Sequence, residues 1–420
     1  MARDKRILVL TPQFPYPPNQ GTTIRNYNLI AGLARRHEVH LLSFGDPEMC
    51  ASSPLHEQCS SVRVVPTPRR TMRHRVAGLL LSRLPDMARR LPSAEYSEAL
   101  LSALREKRPD VLEVEGIELA RYLLEAATER ARGTAGTPLL VFDDHNTEYV
   151  LQQRAFETDL RSRKPRGWVG AAYSFVQWQR LRRYERHVCR AADRVVSVSE
   201  VDAQALRDLV PGLEPVVVPN GVDVDLYTQP VAQLTAVSEA AREDLGRPGL
   251  AFTGKMDFRP NVDAVLWFVQ EVLPLIQRDV PDVLFWVVGK DPHPRLASLA
   301  GHPAVRVTGR VEDVRPYISS AQVYVIPLRI GGGTRLKVLE AMAMSKAMVS
   351  TTLGCEGFDL VPGRDLLVAD TPAEFASAVA RLLGEPRWRE RLGGSAFRFA
   401  ATLYDWSAIV PKLEALFVNA

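Results

Sequence analysis

Cysteine is scarce, with four in 420 residues, at positions 50, 59, 189 and 355. None falls in a C-x-x-C pair, and the spacing suits neither zinc nor a disulfide framework. They read as reduced, mostly structural thiols; Cys355 stands apart because it lies in a loop after a core strand. Long apolar runs are also missing. The opening run, Ile7-Leu8-Val9-Leu10, is shorter than a secretory signal requires, and nothing elsewhere approaches the ~20 apolar residues of a membrane span. A cytoplasmic protein is the expectation. Charge of one sign is not in excess: the net is +4, and no basic–aromatic stripe of the RNA-binding kind occurs, which argues against a nucleic-acid partner. The apolar fraction of 46% and charged fraction of 24% are those of a soluble globular chain, long enough for two domains with separate cores.

Short β-branched runs alternate with helical patterns, which predicts parallel sheets covered on both faces. Candidate strands in the first half are 7–10, 39–44, 62–65, 111–114, 139–142, 194–198 and 216–218. Pro219-Asn220-Gly221-Val222-Asp223 then reads as a hinge. The series restarts at 250–253, 283–288, 305–308, 323–327, 347–350 and 366–368. The expected class is α/β: two doubly wound, Rossmann-like domains, 1–218 and 219–395. Ligands of such sheets bind beyond the carboxyl ends of the strands, which predicts a site in the cleft between the two units. The tail, 396–420, is helical in pattern with Trp406 and Leu413 as anchors. No strand is left for it to serve, so it is expected to cross back to the first domain.

Two stretches depart from a plain globular surface. Residues 68–91 carry seven arginines around Val76-Ala77-Gly78-Leu79-Leu80-Leu81. Residues 161–190 mix Arg163, Lys164, Arg166, Arg180, Arg182, Arg183 and Arg186 with Trp168, Tyr173, Phe175 and Trp178. Stretches of this kind lie on anionic lipid headgroups, at roughly 1 kcal/mol per basic residue near the surface. An arginine-rich helix packed on the sheet, with its charges solvated, gives the same pattern. On the first reading residues 68–91 touch an anionic membrane and the protein is peripheral on its inner face.

The segment Gly331-Gly332-Gly333-Thr334-Arg335-Leu336-Lys337-Val338-Leu339-Glu340 follows a buried strand and opens a helix. Glycines let backbone amides approach a ligand, and a helix start leaves N–H groups unpaired, so anions collect there. Lys337 adds a positive charge one turn in, and Glu340 follows on the same face. A phosphate binder beside a carboxylate that can grip hydroxyls suits a nucleoside diphosphate with its ribose. Lys337 would neutralise the diphosphate, or be a solvated helix lysine. Glu340 would accept from ribose hydroxyls, or pair with Lys337. Arg335 falls on the opposite side of the helix from Lys337, and reaches phosphate only from the first turn. Lys255, after a strand-ending glycine, also fits phosphate binding. Asp143-Asp144 invites a divalent cation, yet cations already assigned to the diphosphate make a metal unnecessary.

With hinge and glycine loop together, the chain resembles the retaining glycosyltransferases of family 4, glycosyl transferases group 1, which have the GT-B fold. Pro17-Pro18-Asn19-Gln20-Gly21 after the first strand looks like that family's acceptor-side glycine loop, and Asp143-Asp144-His145-Asn146-Thr147-Glu148 resembles its histidine loop. Val218-Pro219-Asn220-Gly221-Val222-Asp223 is similar to the linker, and Gly254-Lys255-Met256 with Arg259-Pro260-Asn261 to the loop opening the second domain. The resemblance implies transfer of a sugar from a nucleotide sugar to an acceptor hydroxyl, with retention and without a metal or other cofactor. The acceptor would be a glycan, a lipid-linked glycan or a small molecule in polysaccharide or glycoconjugate assembly. It implies that Gly21, Gly332, Gly333, Thr334, Arg335, Lys337, Glu340, Lys255 and Asn261 surround the donor. His145 would contact the transferred sugar or place the acceptor, with a structural histidine as the alternative; with Lys337 and Lys255 it makes the expected catalytic set. Two departures stand out. The family's first glutamate, which contacts the donor sugar, is Gly332 here, and Pro260 or Asn261 occupies the region of the second member of its basic pair. A nucleotide-sugar epimerase or hydrolase, and a non-catalytic nucleotide-sugar-binding regulator, would keep the same loop.

Overall fold

The structure is a computed structural model that describes residues 5–71, 82–133, 137–161, 165–230, 244, 247–330 and 335–418. The chain forms two compact units, Met1–Asn220 with Trp406–Ala420, and Gly221–Asp405.

The first unit is built on seven parallel strands: β1 (Arg6–Thr11), β2 (Glu38–Gly45), β3 (Ser61–Pro66), β4 (Val111–Glu115), β5 (Leu139–Asp144), β6 (Arg194–Ser197) and β7 (Val216–Val217). Their order across the sheet is β3-β2-β1-β4-β5-β6-β7. Both faces are covered, so the inner strands are buried on both sides and mostly apolar, with acids on β4 and at the end of β5. On one face Phe44, Tyr96 and Tyr122 stack, with Phe44–Tyr96 centroids 4.2 Å apart. On the other, Ile7, Val9, Val111 and Val141 meet the helix α1 (Gly21–Leu33). The helix pair α2 (Glu148–Arg161) and α3 (Pro165–Ala191) follows β5.

The second unit has β8 (Gly249–Thr253), β9 (Leu284–Val288), β10 (Val305–Gly309), β11 (Val323–Ile326), β12 (Ala347–Ser350) and β13 (Leu367–Val368), ordered β10-β9-β8-β11-β12-β13. The helix α4 (Leu336–Ala343) follows β11. In both sheets the strand order reverses beside the first strand of the unit, between β1 and β4 and between β8 and β11. Crevices at such reversals, beyond the carboxyl ends, are where open sheets bind ligands.

The chain's end corrects the expected boundary at residue 396. Helix α5 (Pro386–Leu403) stays in the second unit, with Ala396 and Ala400 in that unit's core. Gly393 shows how tightly it sits: a Cβ there would strike the Ser345 backbone carbonyl. The chain breaks at Tyr404-Asp405, and α6 (Trp406–Val418) joins the first unit, burying Trp406, Ile409, Leu413 and Phe417 against α1 and the sheet.

Arg25 on α1 is the largest fully buried polar side chain of the first unit. Its Nε and Nη2 donate to Asp143 Oδ2 at 3.2 and 2.6 Å. Its Nη1 donates to the carbonyls of Val218 and Pro219 at 2.9 and 3.2 Å. One guanidinium therefore ties the glycine-loop helix to the end of β5 and to the last residues before the second unit. Arg25→Met would leave the Asp143 carboxylate buried without its cation, so chemical denaturation should show a loss of about 3–5 kcal/mol. An unchanged midpoint would mean that the pair is not structural.

Candidate active site

In the second unit, β8 ends at Thr253 and its chain turns at Gly254, φ +148°. A Cβ on Gly289, at the end of β9, would collide with the Gly254 carbonyl, so two glycines let these strand ends touch. The contact fixes the turn that carries Lys255. Asn261 then holds the turn from the other side: its Nδ2 donates to the Lys255 carbonyl at 2.8 Å, and its Oδ1 accepts from Lys337 Nζ at 2.8 Å. Both ends of the Asn261 amide are thus spent on protein, and it acts as a positioning residue.

Lys337 lies in the first turn of α4, with Nζ 3.8 Å from the centroid of the Phe252 ring. Among the described residues it makes no ion pair. Burial, then the nearby Arg335 guanidinium, press its pKa down from 10.5 to about 7, and Glu340 opposes them only in part. Arg335 corrects the sequence expectation. It is the N-cap of α4 with φ −89° and ψ 99°, outside the helix, so the helical geometry that set it opposite Lys337 does not apply. Instead the two cations lie close enough to repel.

Burial raises the pKa of Glu340, although the Tyr227 hydroxyl, Lys337 and Thr253 favour its charged form. Thr253 Oγ1 lies 3.4 Å from Glu340 Oε2 and 2.6 Å from the Tyr324 hydroxyl. The carboxylate is therefore held by a hydroxyl network, not by an ion pair with Lys337. Tyr227, in the short helix Val224–Thr228, carries no mark in the sequence to set it beside Glu340. Lys255 differs from expectation: its Nζ pairs with Asp257 at 3.1 Å, with both side chains nearly half exposed. The expected donor contacts Gly332, Gly333 and Thr334, with Gly331, lie outside the described residues. Burial raises the pKa of the Cys355 thiol.

In the first unit, Gly21 is exposed at the N-terminus of α1, with Gln20 as N-cap. His145 lies past the end of β5, with Nδ1 3.6 Å from Glu115 Oε2. Burial opposes its charge, but Glu115, Asp143 and Glu118 outweigh burial and raise the imidazole pKa. Gly116 makes room for the ring, since a Cβ there would meet His145 Cε1 at 2.9 Å. With the amide of Asn26 oriented to satisfy both its ends, that side chain donates to Glu115 Oε2 at 3.0 Å.

Each unit thus presents a polar cluster at its own strand reversal. The family described as Glycosyl transferase 4-like domain matches residues 20–221, and Glycosyl transferases group 1 matches residues 247–385. The chain belongs to the group 1, family 4-like glycosyltransferases. It is 21% identical over 416 residues to an uncharacterized 44.6 kDa protein in the cps region of Klebsiella pneumoniae, covering 95% of this chain and 96% of that protein. Sucrose-phosphate synthase from Thermosynechococcus elongatus shares the fold with a TM-score of 0.70 at 18% identity, over 99% of this chain and 98% of that one. Anabaena HepE in complex with UDP and glucose does so with a TM-score of 0.66 at 14% identity, over 99% and 100%. The fold is the two-domain GT-B fold.

The glycosyltransferase's first unit also buries more acid than the sequence motifs announce. Both Glu113 carboxylate oxygens are buried without a hydrogen-bond partner, and burial, then Glu115 and Asp143, push its pKa well up. Glu185 of α3 accepts the Glu148 and Tyr149 backbone N–H groups at 3.0 Å each, which caps α2. Burial, then Glu118 and Glu185, push Glu148 up to about 8. Glu115, Asp143 and His145 each place one ligand atom within 4.8 Å of the others, which is the spacing of a cation site. Arg25 already holds Asp143 of this trio at 2.6 Å.

The raised pKa of Glu148 sets a sign. The folded chain keeps a proton that the unfolded chain loses near 4.5, so this group's contribution to stability is full below 4.5 and is lost by about 8. The melting temperature of Glu148→Gln should therefore fall less than that of the native chain between about pH 5 and about pH 8. Parallel profiles would contradict the assignment.

Proposed function

We propose that this glycosyltransferase takes its sugar from a nucleoside diphosphate sugar bound by the second unit. The observation that carries this reading is Lys337: a lysine held partly buried by Asn261, beside a second cation, Arg335, at the start of a helix. Two cations pressed together in a poorly solvated place fit a ligand with at least two negative charges, and helix N-terminal amides add to the attraction. Glu340, aligned by Tyr227 and Thr253, offers the acceptor that ribose hydroxyls need. HepE, a relative in fold, binds UDP and glucose.

In the proposed reaction the bond between the anomeric carbon and the diphosphate oxygen breaks, and an acceptor hydroxyl oxygen bonds to that carbon on the same face. The departing phosphate oxygen takes the hydroxyl proton, so configuration is retained without a covalent enzyme intermediate. Negative charge grows on the leaving group, where Lys337, Arg335 and the amides at the start of α4 are already oriented. Lys255, which is paired with Asp257, supplies its backbone turn to the site more than its charge. His145, whose pKa is raised by its acidic neighbours against the effect of burial, would serve as a hydrogen-bond donor to a sugar hydroxyl and not as a base. No step calls for a metal. The acceptor is a hydroxyl of a glycan, a lipid-linked glycan or a small molecule.

A thermal-shift panel of UDP, GDP and ADP identifies the base, since a ligand bound only by the folded state raises the melting point. With the donor known, Lys337→Ala should lower kcat/KM by about 10²–10³-fold with its melting point retained. Near-native turnover would refute the leaving-group role. Glu340→Gln should weaken nucleoside diphosphate binding by roughly tenfold, about 1.4 kcal/mol; unchanged affinity would remove ribose from its assignment.

A further inference from the structure

Two basic stretches far apart in the sequence meet in the first unit. The Asp86 backbone N–H donates to Gln177 Oε1 on α3 at 2.8 Å, and Arg70 binds the Asp86 carboxylate at 2.8 Å. The described ends of the 68–91 stretch are therefore seated on α3; residues 72–81 lie outside the described residues. Along α3 the character of the helix changes. Its second half is core, with Leu181, Tyr184, Val188 and Cys189 buried. Its first half carries Tyr173, Phe175 and Val176 exposed. Phe175 packs its ring on Phe156 of α2 and on Trp178, at 5.5 and 6.0 Å, yet is 45% exposed. Leu160 of α2 is 50% exposed, and Leu84, two residues from Asp86, 46%. Of eleven exposed large apolar side chains among the described residues, these five lie on α2, on α3 or beside the Asp86 contact with α3.

The described charge around them is mostly positive. Arg154, Arg180, Arg182, Arg183, Arg186 and Arg190 stand on α2 and α3 with three acids, Glu148, Glu157 and Glu185, of which Glu185 is fully buried. Arg182 and Arg183 are exposed about two turns beyond Phe175. Apolar and aromatic groups ringed by arginine suit an anionic lipid surface, where rings enter the headgroup layer and arginines meet phosphate. A second copy of the chain suits it poorly, because a two-fold contact would set arginine against arginine.

We propose that this face of α2 and α3, with its Leu84 edge, docks the glycosyltransferase on an anionic lipid bilayer. Docking of this kind is independent of which donor the second unit binds. None of the helices among the described residues is long and apolar enough to cross a membrane, so attachment here would be from the surface.

Co-sedimentation of the full chain with extruded vesicles tests it, comparing phosphatidylcholine alone with vesicles containing about one-third phosphatidylglycerol. The native chain should pellet with the anionic vesicles only, and less in ~0.5 M NaCl. Arg182→Glu with Arg183→Glu should lower the partition coefficient about tenfold or more, at unchanged melting temperature. Phe175→Ser with Leu160→Ser should lower it several-fold. Three outcomes would overturn docking here: no pelleting of the native chain with anionic vesicles, variants that pellet as well as it does, or light scattering that shows a dimer abolished by Phe175→Ser.

Discussion

An ammonium group kept in poorly solvated surroundings is the constraint on which the second unit's site depends. Lys337 has the Phe252 ring under its Nζ and a neutral amide, Asn261, as hydrogen-bond partner. A carboxylate partner would have been the cheaper way to bury the charge, and it would also have consumed it. The architecture around Lys337 follows from avoiding that. Gly254 and Gly289 close the strand ends so that Asn261 can reach across the turn, and α4 starts where its amides share the same space as the ammonium. Glu340 is kept available by hydroxyl partners.

The first unit shows the opposite imbalance. Carboxylates gather at the ends of β4 and β5, and one guanidinium, Arg25, balances the deepest of them while holding the residues that lead into the second unit. Burial, and then the acidic neighbours, raise the pKa values of Glu113, Glu115, Asp144 and Glu148. A transferase needs a stabilised leaving anion and a polar grip on neutral sugar hydroxyls. The second unit brings Lys337 and Arg335 close together, and the first gathers acids around His145.

The strand series was legible because strands buried on both faces read as uninterrupted apolar runs, and each expected strand lies within a residue or two of its position. The end of the second unit was not legible. Helix α5 carries an apolar stripe of its own, and nothing in the sequence marks its core partners, Ser345 and the β12 region, so 396–420 read as one segment. The nearness of Lys337 and Glu340 was legible because they lie three residues apart at the start of a helix. Arg335 was misplaced by extending helical geometry to a residue that turned out to be the cap. Arg25, Glu113, Glu115 and Tyr227 were missed because their roles come from partners distant in sequence; an acid at alternate positions of the apolar Val111–Glu115 strand was the available signal.

The most direct test is the proton that should accompany the ligand. If a diphosphate settles beside Lys337, its amine takes up a proton as its pKa climbs from about 7 toward the ordinary 10.5. Calorimetric titration of the responding nucleoside diphosphate at about pH 8, above the phosphate's own titration near 6, in two buffers of different ionisation enthalpy, measures that uptake. The expected result is close to one proton taken up by the native chain and none by Lys337→Met. Equal binding without proton exchange in the native chain, or the same uptake in the variant, would contradict a diphosphate seated on Lys337.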